Sequence, residues 1–451
     1  MAILLDLPSE LLYKVFLYFC SCKGNSQRRT ISQSPLREYE YIRKVFISRE
    51  FTDWLTLTNL RLTCRRLNII ASDILYRHFY VLISGWDYAD FDGAAKLITN
   101  IVGGRSAING TARKLLLNLA DPEFFSHSIG YPAVFRDDLV KRIPKILTEL
   151  PKLETLRVDI ASSDGIYRQS VKFDLARAAD FTSTLADGIS YANLQNLSSL
   201  YLTLLCTQDF EVLARRLPVS VCERIQHLYL AVADGTGPGG TDIFNRYMQN
   251  VEWLPSNLQA VSPNLQHQQG LFDFVAKCEN ITSLAICATQ HLNVDLLNWR
   301  HLPKSLEVLY LNRLQASSEG LRRLMWPAPE EDPGRCGLER VQFTDMELTQ
   351  GTWEEIFHRL IHSPTLRYFC AHNLSYAAKG ESAAFRTREA TTWNLSKSAV
   401  NVQSRRDGDL GSLQRLFEVL LQKANSQSGH GGPEYPHDPK CLSHIRPHVY
   451  E

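Results

Sequence analysis

The sequence has little that would favour a membrane or a nucleic acid as a partner. Its 49 Lys and Arg residues are matched by 48 Asp and Glu residues, which leaves a net charge of +1 at pH 7. It lacks a run of about 18 apolar residues and a basic N-terminal segment followed by a long apolar core. We therefore expect no nucleic-acid partner, no membrane partner and no secretory leader. The remaining expectation is a protein partner in the cytoplasm or the nucleus.

A paired-cysteine pattern of the kind that holds zinc is also missing. The 10 cysteines are scattered, and the close pair Cys20 and Cys22 has no second pair at zinc-finger spacing. Others lie within apolar runs, namely Cys206, Cys278, Cys287 and Cys370. Free thiols in such runs behave as small buried hydrophobic groups, which fits a reducing compartment. No metal is predicted.

The patterns that come closest to catalytic or cofactor motifs are incomplete. Residues 235–240 (GTGPGG) match G-x-G-x-x-G after a predicted strand, but no acidic residue stands about 20 positions later to bind a ribose. His358 and His362 have the one-turn spacing of zinc ligands, yet Arg359 replaces the glutamate of H-E-x-x-H. The sequence therefore predicts a non-catalytic protein without cofactors.

Two apolar segments near the N-terminus are predicted to be helical. In residues 4–19, Asp6 and Pro8 are typical of a helix start. The apolar residues that follow recur on one helical face: Leu11, Leu12, Val15, Phe16 and Phe19. In residues 53–79 the same spacing predicts a second helix with Leu57, Leu60, Cys64, Leu67 and Ala71, and a third with Ile70, Ile74, Leu75 and Phe79. Three short helices cover a shared core poorly, so part of this surface should meet a partner.

These segments carry LPSELL at residues 7–12, LRLTCRRLN at 60–68 and then Leu75 and Tyr76. In this order they resemble an F-box. The resemblance implies a three-helix module that binds a Skp-family adaptor and, through it, the cullin and RING subunits of an SCF-type ubiquitin ligase. Residues 20–52 depart from the family pattern, because they separate helices that lie closer together there. The adaptor-binding residues that the resemblance implies are Leu7, Pro8, Leu11, Leu12, Val15, Phe16, Leu60, Leu62 and Leu67.

Beyond residue 80 an apolar pattern recurs, with apolar residues at its first, fourth and sixth positions. Copies begin at Leu153, Leu197, Ile225, Ile281, Leu306 and Leu338, with a worn copy at Leu366 and a candidate opening copy at Ala112. Most spacings between first positions fall near 28 residues or twice that, which is the range of leucine-rich repeats. Helices are predicted after several strands, at residues 209–217, 271–278, 318–324 and 353–361. A strand followed by a helix, repeated in this way, predicts a solenoid with parallel strands on one face.

The predicted fold class is α plus α/β: an N-terminal three-helix F-box followed by an irregular leucine-rich-repeat solenoid. The F-box is assigned to residues 1–80 with an inserted loop at about 20–52, and a linker helix to 81–112. The solenoid is assigned to residues 113–376. Residues 377–451 are predicted to form a C-terminal cap helix, over 412–424, and a mobile tail.

The predicted function is that of a non-catalytic substrate receptor, which binds the adaptor through its F-box and a protein client through its repeats. The alternative is a leucine-rich-repeat scaffold outside the ubiquitin system, or an adaptor-binding protein that delivers no substrate. Tyr201, Tyr229 and Tyr310 are the predicted client-binding residues, because they lie between the last two apolar positions of their repeats and strand alternation turns them outward. Tyrosine is enriched at binding hot spots. The alternative for these rings is a ladder in which they pack on one another.

Overall fold

The computed structural model describes residues 7–12, 14, 59–76, 78–82, 98–106, 108–119, 133–160, 172–237, 255–298, 306–326, 337–372, 374–377 and 407–427. Within them the chain has a mixed helix and strand α/β fold with one open parallel sheet. The insert predicted at about 20–52 and the residues beyond 427 lie outside this description. In the described helices, no segment is both long and apolar enough to cross a membrane.

Within the described residues the sheet has 11 strands, and its main path runs in chain order from β1 to β8 and then to β10. A short strand, β9, continues beside β7 and pairs with β11. The strands are β1 (His78–Leu82), β2 (Lys114–Leu119), β3 (Thr155–Ile160), β4 (Ser199–Leu204), β5 (His227–Val232), β6 (Ser283–Asn293), β7 (Val308–Ser317), β8 (Arg340–Thr344), β9 (Glu347–Gln350), β10 (Tyr368–His372) and β11 (Ser375–Tyr376). Because each strand joins beside its predecessor in parallel, the connecting helices follow on one side of the sheet.

The helices are α1 (Arg65–Tyr76), α2 (Ala133–Thr148), α3 (Leu175–Tyr191), α4 (Thr207–Arg216), α5 (Val219–Cys222), α6 (Asn257–Val261), α7 (Asn264–Lys277), α8 (Ser318–Met325), α9 (Trp353–His362) and α10 (Asp407–Gln427). Neighbours in the chain pack together, as α2 does with α3, α3 with α4, α8 with α9 and α9 with α10. The helices predicted at 209–217, 318–324 and 353–361 correspond to α4, α8 and α9. The one predicted at 271–278 is the second half of the longer α7.

The apolar positions of the predicted repeats align across the sheet. Leu156, Leu200 and Leu228 are register partners on β3, β4 and β5, and the row continues through Leu284, Leu309, Val341 and Phe369. All these side chains are buried in one core with the helices. Burial of each is worth roughly 1.5–3 kcal/mol, so the row contributes to the apolar stabilisation of this core. The predicted strands are therefore present.

A repeated hydrogen-bond pattern joins successive strands at the edge of the sheet where they begin. The carbonyl of Ser198 accepts from the N–H groups of Gln226 and His227, at 2.8 and 3.0 Å. The carbonyl of Gln226 in turn accepts from Thr282 and Ser283, at 2.7 and 3.0 Å. The same pattern recurs from Arg113 to Tyr368, which holds the strand starts in one line.

The N-terminal helices differ from their predicted positions. The segment predicted as two helices, around Cys64 and around Ile74, contains a helical turn at residues 59–61 and then α1. Residues 62–64 separate them, and Oγ1 of Thr63 donates to the carbonyl of Leu60 at 2.8 Å. Phe79 belongs to strand β1 and not to a helix, because β1 pairs with β2 from His78 onward. The predicted boundary at residue 80 therefore falls inside a strand.

Candidate protein-binding surfaces

The two N-terminal motifs contact each other although 47 residues lie between them in the sequence. The Arg66 guanidinium donates to the carbonyl of Leu7 at 2.5 Å and to Oγ of Ser9 at 3.3 Å. Leu12 and Leu67 are buried together with Ile70, Ala71 and Ile74, and Leu7, Leu60 and Cys64 pack against this small cluster. The LPSELL and LRLTCRRLN segments therefore form one unit with its own core.

The predicted adaptor-binding residues separate into buried and exposed groups. Leu12 and Leu67 are buried in the small core, and Leu7 and Leu60 are half-buried against it. Pro8, Leu11 and Leu62 remain exposed, with 44% of Leu11 and 82% of Leu62 accessible to solvent. Val15 and Phe16 lie outside the described residues. Among the described residues predicted to bind the adaptor, Leu11 and Leu62 are thus the leucines whose side chains are exposed to solvent.

Ile69 was not among the predicted contacts, yet 63% of its side chain is exposed on α1. Burial of one such side chain at an interface contributes roughly 1.5–3 kcal/mol. Its neighbours Ile70 and Ile74, which lie at other positions around the helix, are buried. The helical periodicity of α1 contained this information, because Ile69 falls outside the apolar face that Leu67, Ile70 and Ile74 define.

The three tyrosines lie on the sheet face opposite the main core. Tyr201 and Tyr229 are register partners, and their rings stack with centroids 6.1 Å apart at 28°. They form a separate cluster with Ala231, Ala285 and Cys287, in which only 5% of Tyr201 and 2% of Tyr229 are exposed. Tyr310 pairs in register with Ala285, so an alanine separates it from Tyr229, and it is half-buried. The Tyr201–Tyr229 stack is the ladder alternative left open by the sequence.

A shallow polar groove of about 550 Å³ lies at the edge where β4, β5 and β6 begin. It spans the three segments that lead into these strands and is lined mainly by Asn196, Ser198, Arg224, Gln226, Asn280 and Thr282. Asn280 Nδ2 donates to the carbonyl of Glu223 at 2.7 Å, and Thr282 Oγ1 donates to that of Gln226 at 3.2 Å. These bonds fix the rim of the groove. The groove is formed by residues from three separate segments of the chain, so a search for local sequence motifs could not identify it.

The buried carboxylate of Asp234 fixes the start of the glycine-rich segment through hydrogen bonds. Asp234 Oδ1 accepts from the N–H and Oγ1 of Thr236, at 3.0 and 2.7 Å, and Oδ2 accepts from Oγ of Ser256 at 2.7 Å. Burial raises the pKa of Asp234, and these hydrogen bonds partly offset that rise. Gly237 has a φ of 91°, which suits glycine. Residues 238–240 lie outside the described part of the chain.

The histidine pair is on the solvent side of α9. The rings of His358 and His362 lie 4.8 Å apart, and both residues are exposed. Within the described residues, no group of three or more His, Cys, Asp or Glu side chains is arranged to hold a metal ion. Of the cysteines predicted to be buried, Cys206, Cys278 and Cys287 are buried and Cys370 is half-buried.

Comparisons of the chain with known protein families and with curated proteins found no match.

Proposed function

We propose that this chain is the substrate receptor of an SCF-type ubiquitin ligase. In this proposal the F-box, assigned to residues 1–80, binds a Skp-family adaptor, and the array of parallel strands and helices is a leucine-rich-repeat solenoid that binds a protein client. The supporting observation is the contact between LPSELL and LRLTCRRLN, which share one small core through Arg66, Leu12 and Leu67. Each motif keeps an exposed leucine, Leu11 in the first and Leu62 in the second.

In this proposal, binding to the adaptor is driven by burial of the exposed apolar side chains of the N-terminal unit. A small helical unit gains little stability from its own core, and exposed large apolar side chains on it favour a partner. An apolar groove on the adaptor would remove Leu11, Leu62 and Ile69 from water, in the helix-in-groove mode of recognition. The chain itself performs no chemical step in this proposal. It would hold the client close to the ubiquitin-carrying enzyme, which makes transfer effectively intramolecular.

The test replaces exposed residues and leaves the buried ones intact. Leu11→Asp combined with Leu62→Asp places two charges where apolar contact is needed, whereas changes at Leu12 or Leu67 would disrupt the small core itself. We expect co-purification of the adaptor to be lost while the melting temperature stays unchanged. The control variant combines Val219→Asp with Val261→Asp, two exposed apolar residues of the array, and should retain the adaptor.

Two results would contradict the proposal. A folded double variant that still binds the adaptor would exclude this docking face. A wild-type chain that assembles with the adaptor, cullin and RING subunits but promotes no ubiquitin transfer to any co-purified protein would favour the scaffold alternative. Purification with cullin neddylation blocked, followed by a reconstituted transfer assay on the co-purified proteins, distinguishes the two.

A further inference from the structure

The polar groove at the start of β4, β5 and β6 contains the guanidinium group of Arg224, whose Nε–H group lacks a hydrogen-bond acceptor. The Nε atom of Arg224 is buried and has no hydrogen-bond partner, and among the described residues Arg224 forms no ion pair. A buried guanidinium N–H without an acceptor is costly, because folding removes its water. The fork of a guanidinium matches the two oxygens of a carboxylate, which would supply the missing acceptor.

Apart from Glu223, which also lines the groove, the polar side chains around Arg224 are neutral hydrogen-bonding groups. Asn196 and Gln226 are exposed in the groove, and Ser198 and Thr282 are half-exposed there. Amides and hydroxyls of this kind both donate and accept, which suits the N–H and C=O groups of an extended peptide backbone. The groove crosses from β4 to β6, which are about 10 Å apart at the usual strand spacing, so about three extended residues would span it.

Acidic residues stand at and beyond the groove's borders. On the β3 side, the carbonyl of Glu154 accepts from Ser198 N–H, and its carboxylate pairs with Arg113. On the β7 side, Glu307 N–H donates to the carbonyl of Thr282, and the Glu307 side chain is exposed. Glu223, beside Arg224, is also exposed. A ligand with several adjacent negative charges would be repelled by these carboxylates, whereas a ligand with one charge aligned on Arg224 would not.

We propose that this groove binds an extended peptide segment that carries one Asp or Glu side chain among neutral polar residues, with the carboxylate held by the Arg224 guanidinium. This inference rests on the proposed function and specifies the chemistry of the client segment that the chain would bind. The site lies at the strand-start edge of the array, whereas the tyrosine cluster lies on the sheet face opposite the main core.

The experiment selects peptides from a library of random heptapeptides displayed on phage, with the immobilised full-length chain as bait. Four baits are compared: wild type, Arg224→Gln, Arg224→Lys and the control Arg215→Gln, which removes an exposed arginine from α4 that pairs with Glu211 at 3.3 Å. We expect wild type and the control to enrich peptides with a single Asp or Glu. Arg224→Gln should lose this enrichment, and the affinity of a selected peptide should fall about ten- to hundredfold.

Arg224→Lys separates geometry from charge. Lysine keeps the positive charge but lacks the fork, so it should bind the selected peptide more weakly than wild type and more tightly than Arg224→Gln. Enrichment of runs of acidic residues, equal enrichment by wild type and Arg224→Gln, or no enrichment over a bait-free surface would each overturn the inference. An unchanged melting temperature of Arg224→Gln shows that any loss is local.

The inference and the proposed function fail separately. Peptide selection requires no adaptor, so a negative selection by a chain that still co-purifies with the adaptor would refute only the groove. A positive selection by a chain that never binds the adaptor would refute only the ligase role.

Discussion

The hydroxyl of Tyr376 donates a hydrogen bond of 2.7 Å to Oδ2 of Asp409, which joins β11 to the start of α10. The other oxygen of the same carboxylate, Oδ1, accepts from the Glu354 N–H at the start of α9, at 2.8 Å. Asp409 is fully buried. One carboxylate therefore satisfies an N-terminal N–H of α9 and also fixes the C-terminal helix to the last strands of the array.

We expect Asp409→Ala to detach α10 from the array. The change leaves the Glu354 N–H and the Tyr376 hydroxyl, which are both in part-buried hydrogen bonds, without their acceptor. Loss of such an acceptor costs up to about 1–3 kcal/mol for each group. Leu413, Leu416 and Leu420 would still favour docking through the core, so amide exchange in α10 should accelerate before the whole chain unfolds. Glu418→Ala, on the exposed side of α10, is the control and should leave exchange unchanged. Equal protection of α10 in both variants would contradict this role.

Two glycine-to-alanine changes should have opposite effects on stability. At Gly320 in α8, a Cβ atom would lie 1.6 Å from Oδ1 of Asp295, whose carboxylate also accepts from Ser317. We expect Gly320→Ala to lower the free energy of unfolding by about 1–3 kcal/mol, despite the better helix propensity of alanine. At Gly411 in α10, no atom lies within 4 Å of the added Cβ, so Gly411→Ala should stabilise by about 0.5–1 kcal/mol. Urea denaturation of both variants measures the difference, and the same sign in both would be contrary to expectation.

The burial of Asp234 predicts a pH-dependent contribution to stability. Because burial raises its pKa in the folded chain above the ordinary value near 3.8, folding favours the protonated carboxyl. This contribution is fully present below the unfolded pKa and is lost as the pH rises through the raised folded pKa. Asparagine stays neutral throughout. The free energy of unfolding of wild type minus that of Asp234→Asn should therefore fall as the pH rises, and then become constant.

A second substitution tests the cause of that shift. The Ser256 hydroxyl donates to Asp234 and lowers its pKa against the larger effect of burial. Ser256→Ala removes this bond, so the fall in stability should continue to a higher pH than in wild type. Urea midpoints of the three proteins over a pH series provide the measurement. A wild-type to Asp234→Asn difference that is constant with pH would show that the carboxyl does not titrate differently on folding.

The strands were predictable because their signal is local and repeated. Leu200, Leu228 and Leu284 each occupy the fourth position of a repeat, and equal side chains at equal positions stack when strands pair in register. Helices α2 and α3 were missed for the opposite reason. The buried face of α3 includes Ala178, Thr182 and Gly188, which give a weak apolar pattern. These small residues allow a close approach, since a Cβ at Gly188 would lie 3.1 Å from Cα of Pro144 in α2.

The contacts that define the candidate surfaces carry no local signal. Arg66 reaches Leu7 and Ser9 across 59 and 57 residues, and nothing in the sequence distinguishes it from its neighbour Arg65. Arg224 precedes an ordinary repeat. It lines a groove only because residues that precede the neighbouring strands β4 and β6 lie beside it. Sequence periodicity therefore identified which residues enter the cores. It did not identify which polar residues the cores bring together.

The three tyrosines should respond differently to alanine, because their burial differs. Tyr201 and Tyr229 are almost fully buried, so Tyr229→Ala should destabilise the chain by about 3–5 kcal/mol, whereas Tyr229→Phe keeps the ring and should cost much less. The stack between them should appear in a double-mutant cycle of Tyr201→Ala and Tyr229→Ala as a coupling of about 0.5–1.5 kcal/mol.

Tyr310 is the tyrosine at which the proposed client binding can be tested without loss of the fold. It is half-buried and separated from Tyr229 by Ala285, so Tyr310→Ala should shift the urea midpoint far less than Tyr229→Ala does. If the sheet face that carries the tyrosines takes part in client binding, Tyr310→Ala should reduce client capture while adaptor binding is retained. Undiminished capture by Tyr310→Ala, together with collapse of Tyr229→Ala, would assign these rings to structure alone. Client recognition would then have to occur elsewhere, with the Arg224 groove as the next surface to examine.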